Sequence, residues 1–175
     1  MCRRPGGLRP RLCRRGTPTT AICFSVMALP FVKFLSLVFT ALALVPYGAH
    51  LFSLPNKIGM TEAQYFIAQS IYQGWALLSL ILIPAMLFNV VLAYLLRSDR
   101  PAFYLAAAAC VFMAATLAVF FAFTYPANVA TQNWTVSPAH WVELRRQWEY
   151  SHAVNAGFNF LALCLVAAAT VVSRR

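Results

Sequence analysis

Charge is scarce in this chain: only 10% of its 175 residues are charged, and four of those are acidic. With 61% hydrophobic residues and a mean hydropathy of +0.68, that scarcity excludes a soluble domain of this size. Paired cysteines are missing too. Cys2, Cys13, Cys23, Cys110 and Cys164 form no C-x-x-C, and Cys110 and Cys164 lie in apolar runs where a thiol packs as a small hydrophobe, so no thiol redox centre is indicated. His50, His140 and His152 show neither H-x-x-x-H nor H-E-x-x-H, which leaves a metal unsupported. The formal charge of +10 does not point to nucleic acid, because six of the fourteen basic residues (Arg3, Arg4, Arg9, Arg11, Arg14, Arg15) crowd the first fifteen positions. Beside an apolar segment they read as topology signals.

What is present is four apolar runs, at 31–52, 71–96, 102–125 and 154–172, each near or above the roughly 20 residues that cross a bilayer as a helix. The expected fold is all-α, an integral membrane four-helix bundle. Its four-span domain would occupy 27–175, after a basic, Arg/Pro/Gly-rich tail at 1–26 that is expected to be disordered, with Met27 a candidate start. The tail resembles a signal peptide, but no small-residue cleavage site follows and the apolar character continues into the first span. Lys33, near the start of that span, can snorkel to the interface. Both termini inside would put eleven basic residues on the cytoplasmic side against Lys57, Arg145 and Arg146 outside, or five against three without the tail. The expectation is a bacterial inner-membrane protein with both termini in the cytoplasm.

The connections carry signals of their own. Arg97-Ser98-Asp99-Arg100-Pro101 is a tight turn that makes the second and third spans antiparallel neighbours. Thr61-x-x-Gln64 has capping-box spacing, with Glu62 in the first turn and Met60 and Tyr65 placed as a hydrophobic staple. Ser137 before Pro138 reads as an N-cap with proline at the first helical position. Two capped outer loop helices would thus lead into spans two and four. Segments 62–96 and 138–172 each hold 35 residues, roughly 52 Å if continuous, against a hydrocarbon core of roughly 30 Å. Leu54-Pro55-Asn56 and Tyr125-Pro126-Ala127-Asn128 end the first and third spans alike, through helix-pair duplication or through common turn chemistry.

Polar residues concentrate toward the outer halves of the spans. The densest stretch is 141–160, where Arg145, Trp148, Glu149, His152, Asn155 and Asn159 recur every three or four residues and so share one helix face. His50, Gln69 and Tyr72 come from the other spans, and Pro46 and Pro84 would kink their helices and splay the bundle. A polar pocket in the outer leaflet is expected. Arg145 and Glu149 are spaced to pair, and Glu149 to meet His152 one turn on. Asn89 and Thr116, deeper in the spans, suit interhelical hydrogen bonding. Another reading stays open: Trp148 as part of an interfacial belt, Arg145 on lipid phosphate, and His152 on a neighbouring carbonyl. Trp134, Trp141 and Trp148, if exposed, would suit an accessory subunit that docks a partner.

The segments WVELRRQWEYSHAVNA, AHLFSLPNKIGM, IYQGW and TYPANVATQNW resemble the anthrone-oxygenase-like domain-of-unknown-function family of small four-span bacterial membrane proteins. The resemblance covers 31–172, and its pattern falls here on Asn128, Trp141, Leu144, Arg145, Trp148 and His152. It implies oxidation of an anthrone to an anthraquinone by molecular oxygen with no metal or flavin. By that resemblance His152 would be the base, oriented by Glu149, with Arg145 and Asn128 as donors to a developing oxyanion and Trp148 as a stacking wall. His50, Gln69, Tyr72 and Asn155 would complete the site for a quinone-like or lipid-like ligand.

Overall fold

The computed structural model describes the backbone of residues 19–174 and the side chains of 28–174 other than Ser79. Among the described residues its regular structure is all helix, with no strand. Helix α1 is Thr19–Lys57, α2 is Glu62–Gln69, α3 is Ser79–Leu96, α4 is Arg100–Val119, α5 is Tyr125–Ala130 and α6 is Trp141–Val172. Residues 19–26, expected in the tail, continue α1 as helix; the rest of that tail lies outside the described residues. Four segments, Ala28–Lys57, Trp75–Leu96, Arg100–Ala130 and Trp141–Val172, are long and apolar enough to cross a membrane. They pack cyclically, α1 on α3, α3 on α4, α4 on α6 and α6 on α1, so the chain is a four-helix membrane bundle with antiparallel neighbours.

Small residues make close packing of these helices possible. Ala85, Ala102, Ala106, Ala109, Ala162 and Ala169 are all buried in one core, where the absence of longer side chains lets helix backbones approach. Large apolar groups such as Phe34, Phe52, Leu80, Val111 and Val171 point outward instead, as lipid-facing surface does. Polar groups inside the bundle are stitched across helices. Asn89 Nδ2 donates to Thr40 Oγ1 at 3.0 Å and Asn159 Nδ2 to the Thr40 carbonyl at 3.2 Å, whereas Thr116 Oγ1 donates to the Met113 carbonyl of its own helix at 2.7 Å.

Both outer loop helices depart from expectation in instructive ways. The capping box at Thr61 forms: its hydroxyl accepts from the Gln64 backbone while the Gln64 side chain accepts from the Thr61 backbone N–H. The segment that follows is broken, however, with a 3₁₀ turn at Ser70–Tyr72, a positive φ of +84° at Gly74, and a second 3₁₀ turn at Trp75–Leu78. Glycine is the residue that takes this backbone without a Cβ clash. The second cap does not form at Ser137: 137–140 stays in a turn closed by Trp141 N–H on the Pro138 carbonyl at 3.0 Å, and α6 starts at Trp141. Here the start is set by packing, since Trp141 and Leu144 join a cluster with Tyr65 and Trp134.

Replacing Asn89 with Ala should lower stability by about 0.5 to 1.5 kcal/mol, the usual range for an interhelical side-chain hydrogen bond in a bilayer. Asn89→Ala/Asn159→Ala should lose more, and the thermal midpoint in mild detergent reads both; unchanged midpoints would show that Thr40 is not a structural node.

Candidate functional site

The bundle end that carries Lys57, Tyr65 and Glu149 is built in two layers. The outer layer is ionic. Glu149, fully buried on α6, lies 2.8 Å from Lys57 Nζ at the end of α1 and accepts a hydrogen bond at 2.9 Å from the Tyr65 hydroxyl of α2. Gln69 donates in turn to the Tyr65 hydroxyl. Burial, and then the adjacent Glu149 charge, push the Tyr65 phenol well above its usual range, so it remains protonated and donating. Arg145 Nη1 donates to the Met60 carbonyl at 2.7 Å, and its guanidinium lies over the rings of Trp141 and Tyr65 at 4.7 and 5.4 Å.

This corrects two expected pairings. Arg145 does not hold Glu149, and Glu149 does not orient His152; Lys57, counted in the sequence only as a loop charge, takes the carboxylate. Lys57 can reach because α1 continues as helix to that residue, which carries the ammonium down over the Tyr72 and Trp148 rings at 4.8 and 5.1 Å. The role of Tyr65 beyond a staple had no signal in the sequence, because its partner is 84 residues away.

The inner layer is aromatic. His50 on α1 sits among Tyr72, Trp75, Trp148 and His152, with ring centroids 4.3, 5.4, 4.8 and 4.2 Å away. Trp75 joins Gln69 and Tyr72 there, which one continuous helix would forbid, because the helix is broken at Gly74. Trp148 lies 4.0 Å from His152 and donates its indole N–H to Asn128 Oδ1 at 2.8 Å. His152 Nδ1 is 2.9 Å from the Trp148 carbonyl. A carbonyl only accepts, so Nδ1 carries the proton and Nε2 holds the lone pair.

These rings border a cavity of about 740 Å³. Of the residues singled out in the sequence, His50, Gln69, Tyr72, Asn128, Trp148 and His152 line it, whereas Arg145, Glu149 and Asn155 do not. Asn155 is buried one turn beyond His152 with neither side-chain atom hydrogen-bonded. The α4 side of the cavity is shaped by a π-helical turn at Phe120–Thr124, whose Phe120, Phe121 and Thr124 all face the space. Such turns insert one residue and re-aim those around it. Beyond α5, Gln132, Asn133 and Trp134 have φ of 49°, 56° and 64°, a left-handed turn that costs roughly 1 kcal/mol or more per residue. It seats the Trp134 ring 5.0 Å from Tyr65 and 5.8 Å from Trp148. Trp134 and Trp148 are therefore buried rather than exposed for docking, and only Trp141 is half-buried.

No family model matches the chain, nor does any curated protein or solved structure.

Removing one partner of the buried pair strands the other, and Lys57→Met should cost about 3 to 5 kcal/mol. The double variant Lys57→Met/Glu149→Gln leaves no charge and keeps an acceptor for Tyr65, so it should recover most of that loss. Thermal unfolding in detergent measures both; equal losses in the two variants would remove the ion pair from its structural role.

Proposed function

We propose that the cavity is the site of a cofactor-independent oxygenase acting on a flat, anthrone-like aromatic compound, with His152 as the base. The observation that carries this reading is the pairing of a ring-lined cavity with a histidine whose Nδ1 is held by the Trp148 carbonyl, leaving Nε2 to take a proton. Orientation of the base comes from that carbonyl rather than from Glu149. His152 would remove a proton from the benzylic CH₂ of the substrate, giving a carbanion delocalised over the rings. Molecular oxygen accepts the electrons and forms the C–O bond; loss of the second C–H proton and of water from the hydroperoxide leaves C=O. One CH₂ and one O₂ become one C=O and one water, which balances without a metal or flavin.

The other groups divide the remaining work. Trp148 and Tyr72 supply stacking faces, and Asn128, whose Oδ1 is occupied by Trp148, has its amide N–H free to donate to an oxyanion. Arg145 acts at a distance by clamping the turn at Met60. The reading places the protein in a bacterial inner membrane with both termini cytoplasmic and the cavity toward the outer face, supported by the excess of basic residues at the opposite end.

Oxygen uptake with anthrone as substrate tests the chemistry. His152→Ala should fall by about 10² to 10⁴, toward the spontaneous rate, while retaining the elution volume of the parent protein in detergent. Undiminished uptake in that variant would remove His152 as the base. For the orientation, a cysteine in place of exposed Thr135 should react with a membrane-impermeant thiol reagent on intact cells, and one in place of Ser98 only after permeabilisation; the reverse pattern would invert the topology.

A further inference from the structure

The cavity has two chemically different parts to its lining. His50, Tyr72, Trp148 and His152 give the lining an aromatic, hydrogen-bonding part, whereas Leu82, Ile83, Met86, Leu117 and Phe121 give it an apolar part. No Asp, Glu, Lys or Arg lines it anywhere among the described residues. A phosphate-bearing headgroup would enter such a space without a counter-charge, so the fitting occupant is uncharged.

The apolar part leads to the outer surface of the bundle. Ile83 and Phe121 border the cavity yet are 54% and 62% exposed. Both belong to spans. Ile83 is eight residues into Trp75–Leu96 and Phe121 nine residues from the end of Arg100–Ala130, roughly 12 to 14 Å along their helices, which is hydrocarbon depth. Packing explains why a gap falls there: α3 packs on α4, and α6 stays packed on the π turn and α5, but no comparable packing joins α3 to the π turn. The two spans part where α4 gives way to that turn. A cavity mouth between lipid-facing side chains inside the spans opens to the bilayer, not to water.

We propose that the site takes an uncharged, single-chain amphiphile from within the bilayer, its flat oxygen-bearing head among His50, Tyr72, Trp148 and His152 and its chain leaving between Ile83 and Phe121. This rests on the proposed function, and names the class of substrate that the reaction uses. A head alone fills the aromatic part; the chain supplies the contact that the apolar part and its lateral mouth are shaped for.

Quenching of tryptophan fluorescence by anthraquinone, with and without a ten-carbon chain on the ring, tests the proposal on the full chain in lipid nanodiscs. Lipid partition differs between the two probes but cancels when each variant is compared with the parent protein for the same probe. Ile83→Trp, which closes the mouth, should weaken the chain-bearing probe at least tenfold and leave the bare one within twofold. Leu80→Trp, exposed on the same helix but outside the cavity, should change neither. Should Ile83→Trp fail to fold, Ile83→Phe carries the same expected direction. An equal effect on both probes, or none on either, overturns the lateral mouth while leaving the oxygenase reading intact. Failure of both probes to bind the parent protein overturns the pocket reading and this inference together, whereas oxygen uptake lost in His152→Ala is unaffected by where a chain lies.

Discussion

A carboxylate and an ammonium buried at the end of a membrane bundle must neutralise each other, and the contact between Lys57 and Glu149 sets much of what surrounds it. It ties the end of α1 to the first turns of α6 and recruits Tyr65 from α2, so three segments are fixed by one carboxylate. With that register set, Trp148 and His152 fall one helical face inward against His50. The aromatic layer is thus a consequence of the ionic one. The pair also shields itself, since Lys57 lies over the Tyr72 and Trp148 rings that form part of the cavity wall.

What the sequence made legible follows from periodicity. Runs of apolar residues long enough to span, and a stripe of polar ones at intervals of three and four, depend only on helix geometry, and every member of that stripe is buried. Asn89 did bond across helices, to Thr40 of α1, because hydrocarbon offers its amide no water, whereas Thr116 satisfied its hydroxyl on the Met113 carbonyl of its own helix. Pairing was not legible. Arg145 and Glu149 are spaced i,i+4 on one helix, in the weaker order with the basic residue first, and Glu149 found Lys57 while Arg145 found the Met60 carbonyl, groups delivered by α1 and the turn after it.

The breaks were the other blind spot. Gly74 sits in an otherwise acceptable helical run, and nothing local distinguishes it from the tolerated Gly157 of α6. Nor does the stretch Phe120–Thr124 show that it will take a π turn, which answers to packing against α6. Those two irregularities give the cavity its shape: the first turns Trp75 inward, the second brings Thr124 and Phe121 to the opposite wall. A capped start expected at Ser137 failed for a related reason, as the burial of Trp141 and Leu144 outweighed local capping chemistry.

The partners across this bundle lie far apart in the chain. Tyr65 and Glu149 are 84 residues apart, Met60 and Arg145 85, Thr40 and Asn159 119, and all three contacts close on α6. During synthesis, Lys57 and Tyr65 are therefore made well before Glu149, the carboxylate that later holds both. The last span of the chain thus carries the groups on which the carboxylate, guanidinium and amide contacts of the other elements all depend.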